Sequence, residues 1–167
     1  MKVDVIDAWV LNASPVILYA RVDRRDIIER LAPGLIVPVT VLDEVKAGTH
    51  KDSTAKDAVT WASRFERSDI PVPSTVERWD LGAGESQVIS FCMQGKRWAV
   101  LDDRMARRCI SAHGLQMIGS LGMMLRGKRL GLIEAARPWV YKLREQGMFV
   151  DVKLLERSLS AVGEGQR

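Results

Sequence analysis

Short apolar runs alternate with amphipathic stretches along most of the chain. The first run, Ala8 to Asn12 (AWVLN), is short, apolar and β-branched at its centre, which is typical of a buried strand. The tripeptide Ala13-Ser14-Pro15 interrupts this run, and apolar residues recur at helical spacing from Val16 onward. The pattern therefore predicts a strand, a turn and a helix at the start of the chain.

The same alternation continues toward the C-terminus. It predicts a helix over Arg24 to Leu31 that stops at Pro33-Gly34, a buried strand over Leu35 to Val39, and a helix over Thr40 to Ala47 with Thr40 as N-cap. A polar connection from Gly48 to Lys56 then leads to a helix through Phe65, a strand near Ile70 to Val72 and a helix over Glu85 to Met93. The last predicted elements are a strand over Ala99 to Leu101, a helix that begins at Asp102-Asp103 and runs to about Ala112, a strand over Gln116 to Ile118 and two closing helices. Because parallel strands need a crossover to connect them, this order favours an α/β fold with a mostly parallel sheet.

Length and composition indicate one folded domain. The chain has 167 residues, 47% of them hydrophobic and 28% charged, which is far from the composition of a disordered protein. We expect a single domain over residues 1–162 and a flexible tail over residues 163–167. The net charge of +4 favours encounter with a polyanion, although this signal alone is weak.

The two cysteines and the lack of long apolar runs bear on the compartment. Cys92 and Cys109 lack the paired spacing of a zinc site and the density of a disulfide scaffold, so we expect buried free thiols. No apolar run in the sequence reaches the length of a membrane span. These features predict a cytoplasmic protein that makes no contact with a membrane.

Polar and acidic side chains follow several of the predicted strands. Asn12 ends the first strand, while Glu44, Glu85 and the Asp102-Asp103 pair lie near the starts of helices. In an open parallel sheet, ligands bind beyond the carboxyl ends of the strands, where these side chains would converge. Clustered carboxylates repel one another unless a divalent cation neutralises them, and oxygen ligands suit Mg²⁺ or Mn²⁺. The pattern predicts a metal site of this kind.

Simpler interpretations exist for each of these residues. Glu85, Asp102 and Asp103 would stabilise helix starts by about 0.5 to 2 kcal/mol in a protein of any function. Glu44 would equally suit a solvated helix face. The residues taken singly therefore do not decide between capping and metal binding.

Other chemistries have weaker support. Three arginines in the helix after Asp103 form either a phosphate-binding surface or an exposed basic face: Arg104, Arg107 and Arg108. The stretch Gly82-Ala83-Gly84 lacks the third glycine of a dinucleotide fingerprint, which argues against a nucleotide-dependent Rossmann-like enzyme. Neither His50, in a polar loop, nor His113, at a helix end, is placed as a catalytic base.

Six segments together resemble a known family. They are WVLNASPVILYARV, IVPVTVLDEV, LGAGESQVISF, AVLDDRMARRC, GSLGMMLRGKRLGLI and LREQGMFVDVKLLERSLSAVGE. Their combination resembles a PIN domain, of a bacterial and archaeal subfamily described as predicted nucleic-acid-binding and similar to VapC-like toxins. The resemblance covers nearly the whole chain.

The resemblance implies a fold, an activity and partners. The fold would be a PIN-like, Rossmann-like three-layer sandwich with four or five parallel strands between helices. The activity would be that of an endoribonuclease dependent on Mg²⁺ or Mn²⁺, and proteins of this size are often the toxin of a toxin-antitoxin pair. The expected partners are RNA and a small antitoxin protein, and a homodimer is one option for assembly.

The resemblance also assigns roles to residues. The metal ligands fall on Asn12, Glu44, Glu85, Asp102 and Asp103. Glu44, Glu85 and Asp103 are the expected catalytic residues, and Asp103 has the better spacing to the following helix. Ser14 and Ser120 match small hydroxyl residues near the site. Arg104, Arg107, Arg108 and Arg126 are candidates for contacts with the RNA backbone.

One position departs from the family pattern. Asn12 stands where most PIN nucleases have aspartate, and an amide oxygen binds a hard cation more weakly than a carboxylate. Two interpretations therefore remain: a metal-dependent endoribonuclease, and a catalytically weak or inactive PIN-fold module that binds RNA or a protein partner.

Overall fold

The computed structural model describes residues 6–49 and 52–165 of the chain. Within these residues five parallel strands form one sheet in the order β3-β2-β1-β4-β5. The strands are β1 Ala8–Leu11, β2 Leu35–Pro38, β3 Glu66–Arg67, β4 Arg97–Val100 and β5 Gln116–Ile118. Helices flank the sheet, so the expected α/β, PIN-like three-layer fold is confirmed.

The helices connect and follow the strands. They are α1 Ala13–Arg21, α2 Arg25–Leu31, α3 Val39–Ala47, α4 Thr54–Ser63, α5 Ser74–Glu77, α6 Ala83–Met93, α7 Arg104–Ala112, α8 Ser120–Arg129, α9 Arg137–Glu145 and α10 Val152–Ala161. No helix among the described residues has both the length and the apolar character needed to cross a membrane.

Strand β1 lies at the centre of the sheet and of the core. All four of its residues are buried, as expected for a strand covered by helices on both faces. It pairs with β2 on one side and β4 on the other, with Trp9 opposite Trp98 and Leu11 opposite Val100. Because β1 and β4 run in parallel and in register, the residues that follow them, Asn12 and Asp102, emerge at the same edge.

Most of the predicted elements are present with small shifts in their ends. The strands predicted at Ala8, Leu35, Ala99 and Gln116 are all observed, as are the helices predicted around Arg24 and Glu85. Both cysteines are buried and free, as expected, and burial raises the pKa of the Cys92 thiol to about 12.

Two predicted helix starts were wrong. The segment Ala13-Ser14-Pro15 does not break the chain, because α1 begins at Ala13 with Pro15 in its first turn. Proline is tolerated there because the first backbone N–H groups of a helix have no partner within the helix. Thr40 is not an N-cap either. It lies inside α3, and its backbone N–H donates to Asp69 Oδ1 at 3.1 Å.

The predicted strand at Ile70 to Val72 was also wrong, and the edge strand is instead the short β3. Ile70 is held by a side chain, because its N–H donates to Gln87 Oε1 at 3.0 Å and its carbonyl accepts from Gln87 Nε2 at 2.7 Å. The neighbouring Pro71 and Pro73 have no N–H for a strand ladder.

The C-terminal region has three helices, α8 to α10, where two were predicted. In the predicted tail, Glu164 accepts hydrogen bonds from the N–H groups of Ala136 (2.7 Å) and Arg137 (3.1 Å), at the start of α9. Residues 166–167 of that tail lie outside the described residues, as does His50.

Candidate functional site

A groove of about 1150 Å³ opens at the carboxyl edge of the sheet. Its polar side is formed by residues that follow β1 and β4 and by helices α6 and α7: Asn12, Ser14, Glu85, Asp102, Asp103, Arg104, Arg107, Arg108 and Ser111. The groove lies where ligands bind in open parallel sheets. Most of the predicted site residues therefore line one surface.

Asn12 sits at the floor of this groove and is only 4% exposed. Its backbone N–H donates to Val100 O at 2.9 Å, which extends the pairing of β1 with β4. Its side-chain Nδ2 donates to Glu85 Oε1 at 3.3 Å. Its Oδ1 is buried and has no hydrogen-bond partner among the described residues. Because buried polar atoms normally have partners, this oxygen is an acceptor available to a ligand.

Asp102 is held by two serines. Its Oδ1 accepts from the Ser120 N–H at 2.8 Å, and its Oδ2 accepts from Ser120 Oγ at 2.6 Å and Ser14 Oγ at 3.3 Å. Ser120 is itself fixed, because the buried Tyr19 hydroxyl donates to its carbonyl at 2.7 Å. The Asp102 carboxylate is thus fixed against Ser120, the first residue of α8. The carboxylate raises the pKa of the Tyr19 hydroxyl, although burial raises it more.

Asp103 has a different role from its neighbour. It is the N-cap of α7, and its Oδ1 accepts from the Ala106 N–H at 2.8 Å. The simpler interpretation of this residue as a helix cap is therefore correct. Asp103 also lines the groove, so capping does not remove it from the site.

Glu44 lies near Glu85, although Glu44 itself does not line the groove. Glu44 Oε1 accepts from the Gly84 N–H at 3.1 Å. Burial raises the pKa of Glu44, the negative charge of Glu85 raises it further, and the Gly84 N–H opposes both effects. A Cβ at position 84 would lie 2.6 and 2.7 Å from the two Glu44 oxygens, so only glycine fits there without displacing this carboxylate.

The residues present fit a divalent cation held by few protein ligands. Among the described residues, no three carboxylate, histidine or cysteine side chains are grouped closely enough to hold a metal ion. Mg²⁺ is commonly bound by only one or two carboxylates, with waters and substrate phosphates completing its shell. The unpartnered Asn12 Oδ1, next to Glu85, supplies oxygen donors of the kind that this cation prefers.

Three of the four predicted arginines line the groove. Arg104, Arg107 and Arg108 are exposed on α7, and none of them forms an ion pair with another described residue. Arg107 lies near Gly119 and Asp102, because its Nη2 is 3.4 Å, and Asp102 Oδ1 is 2.9 Å, from the position that a Cβ on Gly119 would take. Arg126 does not line this groove. Its guanidinium lies over the Trp98 ring, 5.2 Å from the centroid.

The groove also has apolar lining residues, which were not predicted. They include Leu18, Leu121, Leu125, Met148, Phe149, Val150 and Leu154. These residues come from α1, α8, the α9–α10 connection and α10, and no local motif links them to the acids. The one signal in the sequence is the apolar run Met148-Phe149-Val150, which follows Gly147 outside any helical period.

Comparison with known proteins agrees with this geometry. No match to a curated protein was found. A family model described as a PIN domain matches residues 8–164, which include the whole sheet and every residue of the groove. A PIN domain is a nuclease-type fold, and PIN domains are generally nucleases that depend on a divalent metal. The chain therefore belongs to the PIN domain family.

Proposed function

We propose that this protein is a divalent-metal-dependent endoribonuclease that cuts single-stranded RNA in the groove at the carboxyl edge of the sheet. The observation that carries the proposal is the convergence of Asn12, Glu85 and Asp102 on one groove, where Asn12 Oδ1 is buried and has no partner in the described part of the chain. A bound Mg²⁺ or Mn²⁺ would supply an activated water for in-line attack on a phosphodiester.

The side chains of the groove have separable roles in this proposal. Asn12 and Glu85 would hold the cation, and Glu44 would add negative charge from beside the groove. Asp102, fixed by Ser14 and Ser120, supplies the second carboxylate on the side where β4 ends. The position of Asp102 between two serines favours it over Asp103 as the ligand.

A second candidate function is a binding module that holds RNA without cutting it. The contact that favours it is the hydrogen bond from Asn12 Nδ2 to Glu85 Oε1. An amide N–H beside Glu85 stabilises that carboxylate without a cation, which an aspartate at position 12 would not do. The two candidates therefore differ in whether the groove needs metal.

The toxin role expected from the resemblance is an extension of this proposal. It includes a small antitoxin protein as partner and a cytoplasmic location. A neighbouring gene for a small protein that co-purifies with this chain and suppresses RNA cleavage would support the extension. Cleavage that the purified small protein leaves unchanged would contradict it.

Substitution of Asn12 tests the proposed function. Asn12→Asp should tighten Mn²⁺ binding by about an order of magnitude, because a carboxylate adds Coulombic attraction that an amide lacks. It should also raise metal-dependent cleavage of single-stranded RNA. Isothermal titration calorimetry with Mn²⁺ and a gel assay of RNA cleavage measure both quantities.

Asp102→Asn, Asp103→Asn and Asp57→Asn complete the series. Asp102→Asn should abolish cleavage. Asp103→Asn should retain folding because asparagine is an equally good N-cap, and it should lose less activity than Asp102→Asn. Asp57→Asn, on the exposed face of α4, is the control. A gain in metal affinity for Asn12→Asp without cleavage by any variant would establish the binding module instead.

A further inference from the structure

The apolar lining of the groove exposes one aromatic ring completely. Phe149 has a relative exposure of 106%, and Val152 and Leu154, at the start of α10, are 43% and 47% exposed. Phe149 and Leu154 both line the groove that Arg104, Arg107 and Arg108 also line. A fully solvated Phe side chain forgoes about 1.5 to 3 kcal/mol of burial, so its position calls for a partner.

The backbone around Phe149 is anchored on both sides. Met148 is buried, and its N–H donates to Leu143 O at 2.9 Å. The Val150 carbonyl accepts from Arg144 Nε at 3.2 Å. Two residues before Met148, the Gln146 carbonyl accepts from Arg21 Nη1 at 2.9 Å. The ring is therefore presented by a connection that is tied to α1 and α9.

Helix α10 is anchored as well. Arg137 on α9 makes a bidentate ion pair with Glu156 on α10, at 2.7 and 3.0 Å. The Arg137 Nη2 also donates to the Glu164 carbonyl at 2.6 Å. These contacts hold α10 against α9, so that the exposed ring and Leu154 form a surface whose position is set before any ligand arrives.

The positive charge in the same groove identifies the kind of ligand. Arg104, Arg107 and Arg108 are exposed and without an acidic partner among the described residues, which suits a chain of phosphates. A ligand with both phosphates and exposed flat apolar faces is a single-stranded nucleic acid. In a duplex the base faces are stacked inside and cannot reach an aromatic side chain.

We propose that Phe149 is a stacking platform for an unpaired base of single-stranded RNA whose backbone lies along the three arginines of α7. The choice of RNA rests on the proposed function, but the stacking concerns binding and does not require that the RNA be cut. A second copy of this chain suits the groove less well, because pairing the same faces would bring two sets of unpaired arginines together.

Binding without cleavage tests this inference. The probe is a fluorescently labelled, unstructured RNA of roughly ten nucleotides, measured by anisotropy in EDTA so that no metal supports cleavage. Phe149→Ala should weaken binding about 5- to 100-fold, the range of a lost base–aromatic stack. Phe149→Trp should bind as tightly as the wild type or more tightly. Phe149→Leu, which keeps apolar area but lacks a ring, should resemble Phe149→Ala.

Controls separate stacking from other uses of the ring. Leu130→Ala removes an exposed apolar side chain outside the groove and should leave RNA affinity unchanged. An RNA duplex of the same length should bind wild type and Phe149→Ala equally. Single-strand affinity that is indifferent to Phe149→Ala would overturn the inference, as would equal affinities of Phe149→Leu and wild type. A dimer by light scattering that Phe149→Ala dissociates would assign the ring to self-association instead.

The inference and the proposed function fail in different ways. If no variant cleaves RNA but Phe149→Ala weakens single-strand binding in EDTA, the stacking site stands on a binding module. If RNA is cleaved and Phe149→Ala leaves affinity unchanged, the nuclease stands and the stacking site does not.

Discussion

At the scale of single residues, the site holds the like charges of Glu44 and Glu85 near each other, and neither carboxylate has an ion-pair partner among the described residues. Glu44 and Glu85 raise the electrostatic energy of the folded state, and the N–H groups of Gly84 and Asn12 offset part of it. Such an arrangement is unfavourable for stability but provides oxygen donors to a cation. Removing one of these two charges should therefore change the free energy of unfolding.

Replacing Glu44 gives a measurable consequence. The pKa of Glu44 is raised above 4.5, first by burial and then by Glu85, so its charged form is disfavoured in the folded state. The penalty is fully present above the raised pKa and disappears as the pH falls toward 4.5. Glu44→Gln should increase the free energy of unfolding at neutral pH by about 0.5 kcal/mol or less, because solvent around the exposed Glu44 screens its repulsion with Glu85.

Urea denaturation at several pH values measures this effect. The gain from Glu44→Gln should shrink as the pH is lowered, while metal affinity should fall at neutral pH. Glu145→Gln, on the exposed face of α9, controls for the loss of one negative charge. A variant that is less stable than the wild type at neutral pH would show that the Gly84 hydrogen bond outweighs the repulsion.

The residues of the site could be predicted only in part from the sequence. The position of Asn12 after the first strand follows directly from the apolar pattern. The different contacts of Asp102 and Asp103 do not, because those of Asp102 depend on Ser120, which is 18 residues away along the chain. Phe149 was not identified, because the partners of a groove wall are set by packing between distant elements.

At the scale of elements, one ion pair ties three segments together. Arg21 at the end of α1 contacts Asp52 at 2.7 Å and also donates to the carbonyl of Gln146. Asp52 in turn accepts from the N–H (2.9 Å) and hydroxyl (2.7 Å) of Thr54, the first residue of α4. The contact stabilises the start of α4 and the connection that carries Phe149.

Asp52→Asn should lower the free energy of unfolding at neutral pH by about 1 kcal/mol. The hydrogen bond from Arg21, then those from Thr54, lower the pKa of Asp52 from 3.8 to about 2. The contribution of Asp52 is therefore present above pH 3.8 and is lost as the pH falls toward about 2. Denaturation curves at neutral and acidic pH, with Asp57→Asn as control, measure it. An equal loss from both variants would contradict the assignment.

Elements were predicted best where apolar runs were long enough to be buried on both faces. The β1, β2 and β4 strands meet this condition and were placed within two residues at each end. The β3 strand has two exposed residues, so no apolar pattern marks it. Its actual position follows from pairing with β2, and the apolar residues near Ile70 that suggested a strand belong to a connection fixed by Gln87.

At the scale of the whole molecule, the basic side of the groove should govern how RNA binding depends on salt. Each phosphate contact by an arginine contributes about 0.7 to the slope of log affinity against log salt concentration for a single strand. Changing Arg104, Arg107 or Arg108 to glutamine should lower the slope by about that amount per residue. Anisotropy titrations over a series of salt concentrations measure the slope.

Two further arginines define the extent of the basic surface. Arg129→Gln, exposed on α8 and outside the groove, should leave the slope unchanged. Arg126→Gln should do the same, because that guanidinium packs on Trp98. A reduced slope for Arg126→Gln would extend the RNA path around α8, and unchanged slopes for all three arginines of α7 would return them to a solvated helix face.

The order of strands in the sheet has a consequence for the synthesis of the protein. Three hydrogen bonds in and around the groove connect Asn12 to Glu85, Ser14 to Asp102 and Tyr19 to Ser120. Their partners are 73, 88 and 101 residues apart along the chain. Contacts so distant along the chain form late in folding. A growing chain that has left the ribosome only as far as β2 has Asn12 but none of its carboxylate partners from α6 onward. The groove is therefore completed only after most of the chain has been translated.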